Sequence, residues 1–185
     1  MTPITPSTAD RAGLSRTGLY RAVCAGDLTR VARGIYLPTD APAVDWGLVE
    51  AATRRSDATI CLTSALAHHD LTDAIPDTLD VAIPRGGRSP ATEHVITWHQ
   101  FDAATFDLGR DEIPIEGTGL SIGLYSPERC ITDAFRLRGQ LGYETARDAL
   151  KEWLRRGGKP NTLMRIALQL PRAKTPLLHA LEMLS

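Results

Sequence analysis

Apolar residues at Val44, Leu48, Ala51 and Ala52 recur at helical spacing and predict a helix over residues 44–55. The next stretch, "DATICLTSALAHHDL", opens as a short apolar strand and becomes a small-residue helix whose start is expected near Thr63 or Ser64. Alternation and β-branching mark "TLDVAIP" as a strand ended by Pro84, with "RGGRSP" as the turn beyond it. "HVITWHQF" and "GLSIGLYS" read as further strands. The period changes at Ser126. In "SPERCITDAFRLR" a serine N-cap, a proline at the first helical position and a glutamate in the first turn form a strong helix start. Its apolar stripe runs through Cys130, Ile131, Ala134, Phe135 and Leu137, which leaves Arg129, Arg136 and Arg138 nearer the edges. "YETARDALKEWLRRGG" follows as an amphipathic helix stopped at Gly157-Gly158, then "KPNTLMRIALQL" and "TPLLHALEML", each with a proline near its start. Strands followed by helices predict an α+β arrangement, a small mixed sheet with a helical group.

Ahead of these elements stands "GLSRTGLYRAVCAGDLTRVARGIYLP", residues 13–38. Ser15 can cap a helix whose buried side carries Leu19 and Val23, with Ala22 beside them. Thr17, Tyr20, Arg21 and Cys24 point the other way, and such a face of hydroxyls and a forked guanidinium suits the major groove of DNA. Gly26 fits a left-handed helix end, and two short strands turn at Arg33-Gly34 with Arg30 and Arg33 placed to reach phosphate. Periodicity leaves two readings open, a DNA-reading winged helix or an ordinary helix and hairpin at the edge of a larger fold. Pro38, Asp40 and Pro42 then interrupt any regular element, so the expected division is 1–40 and 43–185.

Charge adds an asymmetry that the net value of -1 conceals. Residues 1–38 carry +3, residues 39–128 carry -10 and residues 129–174 carry +7. A basic head, an acidic middle and a basic helical tail offer two separated places for phosphate or an acidic surface. In the tail, Arg147, Lys151, Arg155, Arg156 and Lys159 follow helical spacing as a partner- or phosphate-binding candidate, although Glu144 and Asp148 can pair with Arg147 and Lys151 at i, i+3. The three cysteines, Cys24, Cys61 and Cys130, are widely spaced and form no CxxC, which argues against a disulfide framework or a zinc site and suits a reducing cytoplasm. No apolar run nears the roughly 20 residues of a membrane span. "MTPITPSTAD" lacks the layout of a signal peptide.

Catalytic constellations are weak. Ser64 and His68 share a helix face at i, i+4 beside His69 and Asp70, but in a small-residue run that reads as capping and core. His94 and His99 are five apart on an expected strand and face opposite sides, so a metal site is not expected. Asp77 and Asp80 invite comparison with metal-dependent nucleases, but no Glu-x-Lys follows. Arg85 and Arg88 flank Gly86-Gly87, an anion nest or a plain glycine turn, without the Gly-Lys-Ser/Thr ending of a P-loop.

Residues 13–38 resemble the N-terminal winged helix of AbiEi-type antitoxins of type IV toxin–antitoxin systems. Gly13, Leu14, Ser15, Leu19, Arg21, Gly26, Leu28, Arg30, Val31, Arg33, Gly34 and Tyr36 stand at matching places. "CLTSALAHHDL", "DVAIPRGGR" and the run from "YSPERC" to "LMRIA" are similar to the C-terminal region of the same antitoxins, while residues 100–118 match least. The resemblance implies an autoregulating repressor that binds operator DNA, inverted repeats in its own promoter, and neutralises a cognate nucleotidyltransferase-type toxin without a cofactor or catalysis. It assigns Thr17, Tyr20 and Arg21 to bases, and Ser15, Arg16, Arg30 and Arg33 to phosphate. A stand-alone regulator without a toxin is the alternative, and a nuclease using Asp77 and Asp80 the remote one. The sequence departs from the family in its lead-in. The lead-in to Leu14-Ser15 is only "STADRAG", too short for more than one or two helical turns, so Leu19 and Val23 need other cover, with the helix at 44–55 one candidate.

Overall fold

The computed structural model describes residues 2–184, with the side chains of Arg11, Ala12 and Arg16 outside the described set. It is an α+β fold, a helix–strand–strand head with a wing-like hairpin followed by a mixed sheet and helices. The lead-in supplies one 3-10 turn, Ala9–Ala12, ended by Gly13 in the left-handed region. Helix α1, Arg16–Ala25, is capped by the Ser15 hydroxyl, which accepts from the Gly18 amide at 3.1 Å, and it ends at Gly26 with φ 82°. Strands β1, Leu28–Ala32, and β2, Ile35–Pro38, pair antiparallel around Gly34, whose φ of 75° suits a residue without Cβ. Ile4 bridges Tyr36 from the far side of β2, with amide–carbonyl distances of 2.8 and 2.9 Å.

The hairpin is buried on both faces. Leu28 joins Leu19 and Ala9 in a small cluster, packed by Ile4, Leu14, Ala22, Val23 and Tyr36. Those residues are the cover that Leu19 needs. A register shift between Arg30 and Ala32 then turns two successive residues, Val31 and Ala32, toward the opposite side. There they enter the main core with Ile35 and Leu37. Helix α2, Trp46–Arg54, packs on β1 from that side, so it covers the back of the wing.

The body is a five-stranded sheet in the order β5-β4-β3-β7-β6, formed by β3 (Thr59–Ile60), β4 (Leu79–Pro84), β5 (Ile96–Phe101), β6 (Arg110–Pro114) and β7 (Ser121–Tyr125). β4 and β5 are parallel, as are β3 and β7, while β3–β4 and β6–β7 are antiparallel. Helix α3, Leu62–His68, packs on β4 and on α4, Pro127–Arg136. Helices α5 (Arg138–Leu141), α6 (Tyr143–Arg155), α7 (Pro160–Ala167) and α8 (Lys174–Leu184) complete the group around α4.

Three sequence expectations change. The helix expected to start near Thr63 or Ser64 begins at Leu62 with Cys61 as its N-cap and no side-chain cap. Ser64 lies inside it, where its hydroxyl donates to the Thr78 carbonyl and accepts the Asp80 amide, tying α3 to β4. β6 and α5 were not visible as elements; β6 is a polar edge strand without apolar alternation. Arg129 is not at an edge but fully buried. Its Nε donates to Asp133 Oδ2 at 2.8 Å, its Nη1 to the carbonyls of Thr105 and Leu108 at 2.7 Å each, and its guanidinium lies 4.5 Å from the Tyr125 ring centroid. An acid one turn along and two loop carbonyls make that burial tolerable, and they pin the chain leading into β6.

Candidate nucleic-acid interface

Helical phase divides α1 into two faces. Leu19 is buried, whereas Thr17, Tyr20, Arg21 and Cys24 are exposed, Tyr20 to 71%. The Cys24 thiol one turn along from Tyr20 pushes the phenol up from its ordinary value. Between α1 and the hairpin lies a groove of about 550 Å³ lined by Pro6, Leu19, Tyr20, Val23, Arg30, Arg33, Gly34 and Tyr36. Of the residues proposed for DNA, this groove gathers Tyr20, Arg30 and Arg33, while Thr17 and Arg21 lie on the exposed face of α1 outside it. Ser15 is exposed at the helix start. The Arg16 side chain lies outside the described residues.

The wing is tied to the body through a residue that sequence reasoning did not single out. Glu50, in the middle of α2, is fully buried. Its Oε2 accepts from the His94 amide at 3.0 Å and meets His94 Nδ1 at 2.7 Å, and both its oxygens accept the Glu93 amide at 3.1 Å. Arg54 Nη2 adds a bond to Oε1 at 3.2 Å. Burial alone would push this carboxyl up, but the bonds from His94, Glu93 and Arg54 outweigh it and hold the acid below its ordinary value. The network reaches the wing twice. Arg54 also donates to the Arg33 carbonyl at 2.9 Å, and Glu93 forms an ion pair with Arg30. A lone glutamate on a helix reads as solvated surface, so no local signal marks Glu50.

The tail cluster is mostly paired within itself. Arg155 and Arg156 both hold Glu152, which falls to about 2, and Arg147 pairs with Asp148. Arg156 also donates to the carbonyls of His69 and Asp70. The adjoining cleft of about 780 Å³ includes Lys151, Arg155 and Arg156 but also Asp70, Asp73, Glu144, Asp148 and Glu152, so its lining is more acidic than basic. Lys159 caps α7 and is exposed.

Asp80 Oδ1 accepts from His99 Nε2 at 2.8 Å, while Asp77 is exposed in the loop before β4. His68 is exposed, and its ring meets His69 edge-on. Burial, the neighbouring His69 and the opposing Asp70 leave the His68 imidazole below its ordinary value. Arg85 and Arg88 are exposed around the turn at Gly86-Gly87. Among the described residues, no group of three or more His, Cys, Asp or Glu is gathered to hold a metal ion. No described helix is long and apolar enough to cross a membrane.

Residues 3–39 match the family described as "Transcriptional regulator, AbiEi antitoxin". No curated protein matches the sequence. Among solved structures, the crystal structure of RV2827C protein from Mycobacterium tuberculosis is similar, with a TM-score of 0.63 and 18% identity over 98% of this chain and 72% of that one. At that identity the similarity is one of fold, and it extends through both head and body. The family match spans the turn, the capped helix and the wing described above, so the similarity to AbiEi antitoxin transcriptional regulators lies in the head.

Proposed function

We propose that the protein is a cytoplasmic antitoxin of the type IV kind that represses its own promoter by binding operator DNA through α1 and the wing, and that residues 43–185 form the part that counters a cognate nucleotidyltransferase-type toxin. The match of residues 3–39 to an antitoxin regulator family carries this reading. The geometry of the head supports it. The α1 amino end carries unpaired amides and the Ser15 cap, a favourable place for a phosphate. Thr17, Tyr20 and Arg21 form an exposed face of the kind that meets base edges, with Arg30 and Arg33 beside it for the backbone. Arg16 joins the phosphate set by its place at the helix start. No catalytic step is assigned to any residue.

Two measurements test the two halves of the proposal. A gel shift with the duplex upstream of its own coding sequence, competed with random duplex, should give a specific complex. Co-expression with the adjacent open reading frame should restore growth if that frame is toxic alone. A specific complex without rescue would leave a plain transcriptional regulator. Cleavage of DNA or RNA that needs a divalent metal and is lost in Asp80→Ala would overturn the non-catalytic assignment.

A further inference from the structure

Arg30 sits where the wing should meet the DNA backbone, yet its guanidinium is already engaged by the Glu93 carboxylate. Both side chains are about half exposed, 51% and 46%, so the pair borders solvent and is open to an incoming phosphate. Glu93 is not a wandering surface acid. Its own amide and that of His94 are held by the buried Glu50, which fixes the backbone from which the carboxylate projects. Arg54, on the same Glu50, holds the Arg33 carbonyl and so the turn of the wing. Arg33 itself lies beside the groove with Arg30, without an acid placed against it by any of these bonds.

From this arrangement we infer that Glu93 is a specificity-determining residue of the DNA-binding head, holding Arg30 against the body so that a phosphate gains this contact only by displacing a carboxylate fixed in place. The inference rests on the DNA-binding reading above. On random duplex the exchange gives little, because a phosphate merely replaces one anion by another on a half-exposed guanidinium. On the operator, base contacts from α1 hold the backbone in position long enough for the exchange to occur, so the contact adds chiefly to specific binding. The acid therefore lowers nonspecific affinity and widens the margin between operator and bulk DNA.

The test is a double-mutant cycle on the full-length protein, with Glu93→Gln and Arg30→Ala singly and together, titrated on random duplex and on the upstream duplex across a salt series. Glu93→Gln should tighten random-duplex binding about threefold to fivefold, the ceiling expected for release of a half-exposed pair. It should also steepen the salt dependence by about 0.9 in log–log slope, one added phosphate contact. Arg30→Ala should cost random-duplex binding little in the native background and cancel the gain in the Glu93→Gln background. Equal losses from Arg30→Ala in both backgrounds would overturn the inference, since the acid would then act only as a distant charge. Wild-type protein that binds the upstream duplex while Glu93→Gln leaves random-duplex affinity unchanged would overturn it while sparing the DNA-binding reading. Failure of every variant, wild type included, to bind either duplex would sink that reading instead. Thermal melts of the variants show whether each is folded, and both positions are exposed enough for that to be expected.

Discussion

A single buried carboxylate decides how the wing is carried. Because Glu50 is held below its ordinary value of 4.5, its contribution is complete above the usual carboxylate range and is lost as pH falls through the lower folded value. Glu50→Gln should therefore cost about 2 kcal/mol at neutral pH, the scale of charge-assisted bonds to a buried acceptor, and flatten the acid side of a stability–pH profile measured by urea melts. Parallel acid limbs in the two proteins would refute this. Arg129 and Asp133 make the complementary case. Asp133→Ala should destabilise by about 3–5 kcal/mol by leaving a buried guanidinium with two carbonyls and no acid, whereas Arg129→Met with Asp133→Leu should cost less than the sum of the singles. Neither residue was legible for what it does. Helical phase put Arg129 at the edge of the apolar stripe, but phase does not record that the carbonyls of Thr105 and Leu108 return from a distant loop to receive it in the core. Long-range partners of this kind leave no periodic trace.

Elements fared better where their signal is local. Ser126, Pro127 and Glu128 define the start of α4, and Ser15, Gly26 and Gly34 punctuate the head, because caps and left-handed turns are chosen by one or two residues. β6 escaped notice because an edge strand can present polar residues and needs only β7 to pair with. At this scale the roles of α1 and the wing separate in a binding experiment. Arg21→Ala on the exposed helix face should weaken the upstream duplex by about 1–3 kcal/mol and relax its sequence preference. Arg33→Ala at the wing should weaken all duplexes alike and flatten the salt dependence. Equal loss on specific and random duplex for Arg21→Ala would remove the base-reading role from α1. The exit of α6 offers a test of packing alone. A Cβ at Gly158 would collide with the Trp153 indole, so Gly158→Ala should cost about 1–3 kcal/mol in thermal or urea melts without altering DNA binding.

The proposed division of labour between residues 1–40 and 43–185 does not require two separate cores. Among the described residues, only Ala9, Leu19 and Leu28 are buried within the cluster beneath α1. The other face of the same hairpin gives Val31, Ala32, Ile35 and Leu37 to the core of the body, against α2. Arg54 and Glu93 add polar ties at the turn and the strand of the wing. Three buried apolar residues are far fewer than a free-standing domain of this size needs, and releasing the hairpin would expose four more. A peptide of residues 1–40 should therefore show no cooperative thermal transition by far-ultraviolet circular dichroism. The full-length protein should lose head and body together, with the fluorescence of Trp46, Trp98 and Trp153 in the body and amide protection in α1 reporting one urea midpoint. A cooperative melt of the isolated peptide, or an earlier midpoint for α1, would mean that the head folds on its own. A single midpoint would mean that whatever perturbs the body at Glu50 is felt at the wing, through the core that the two share.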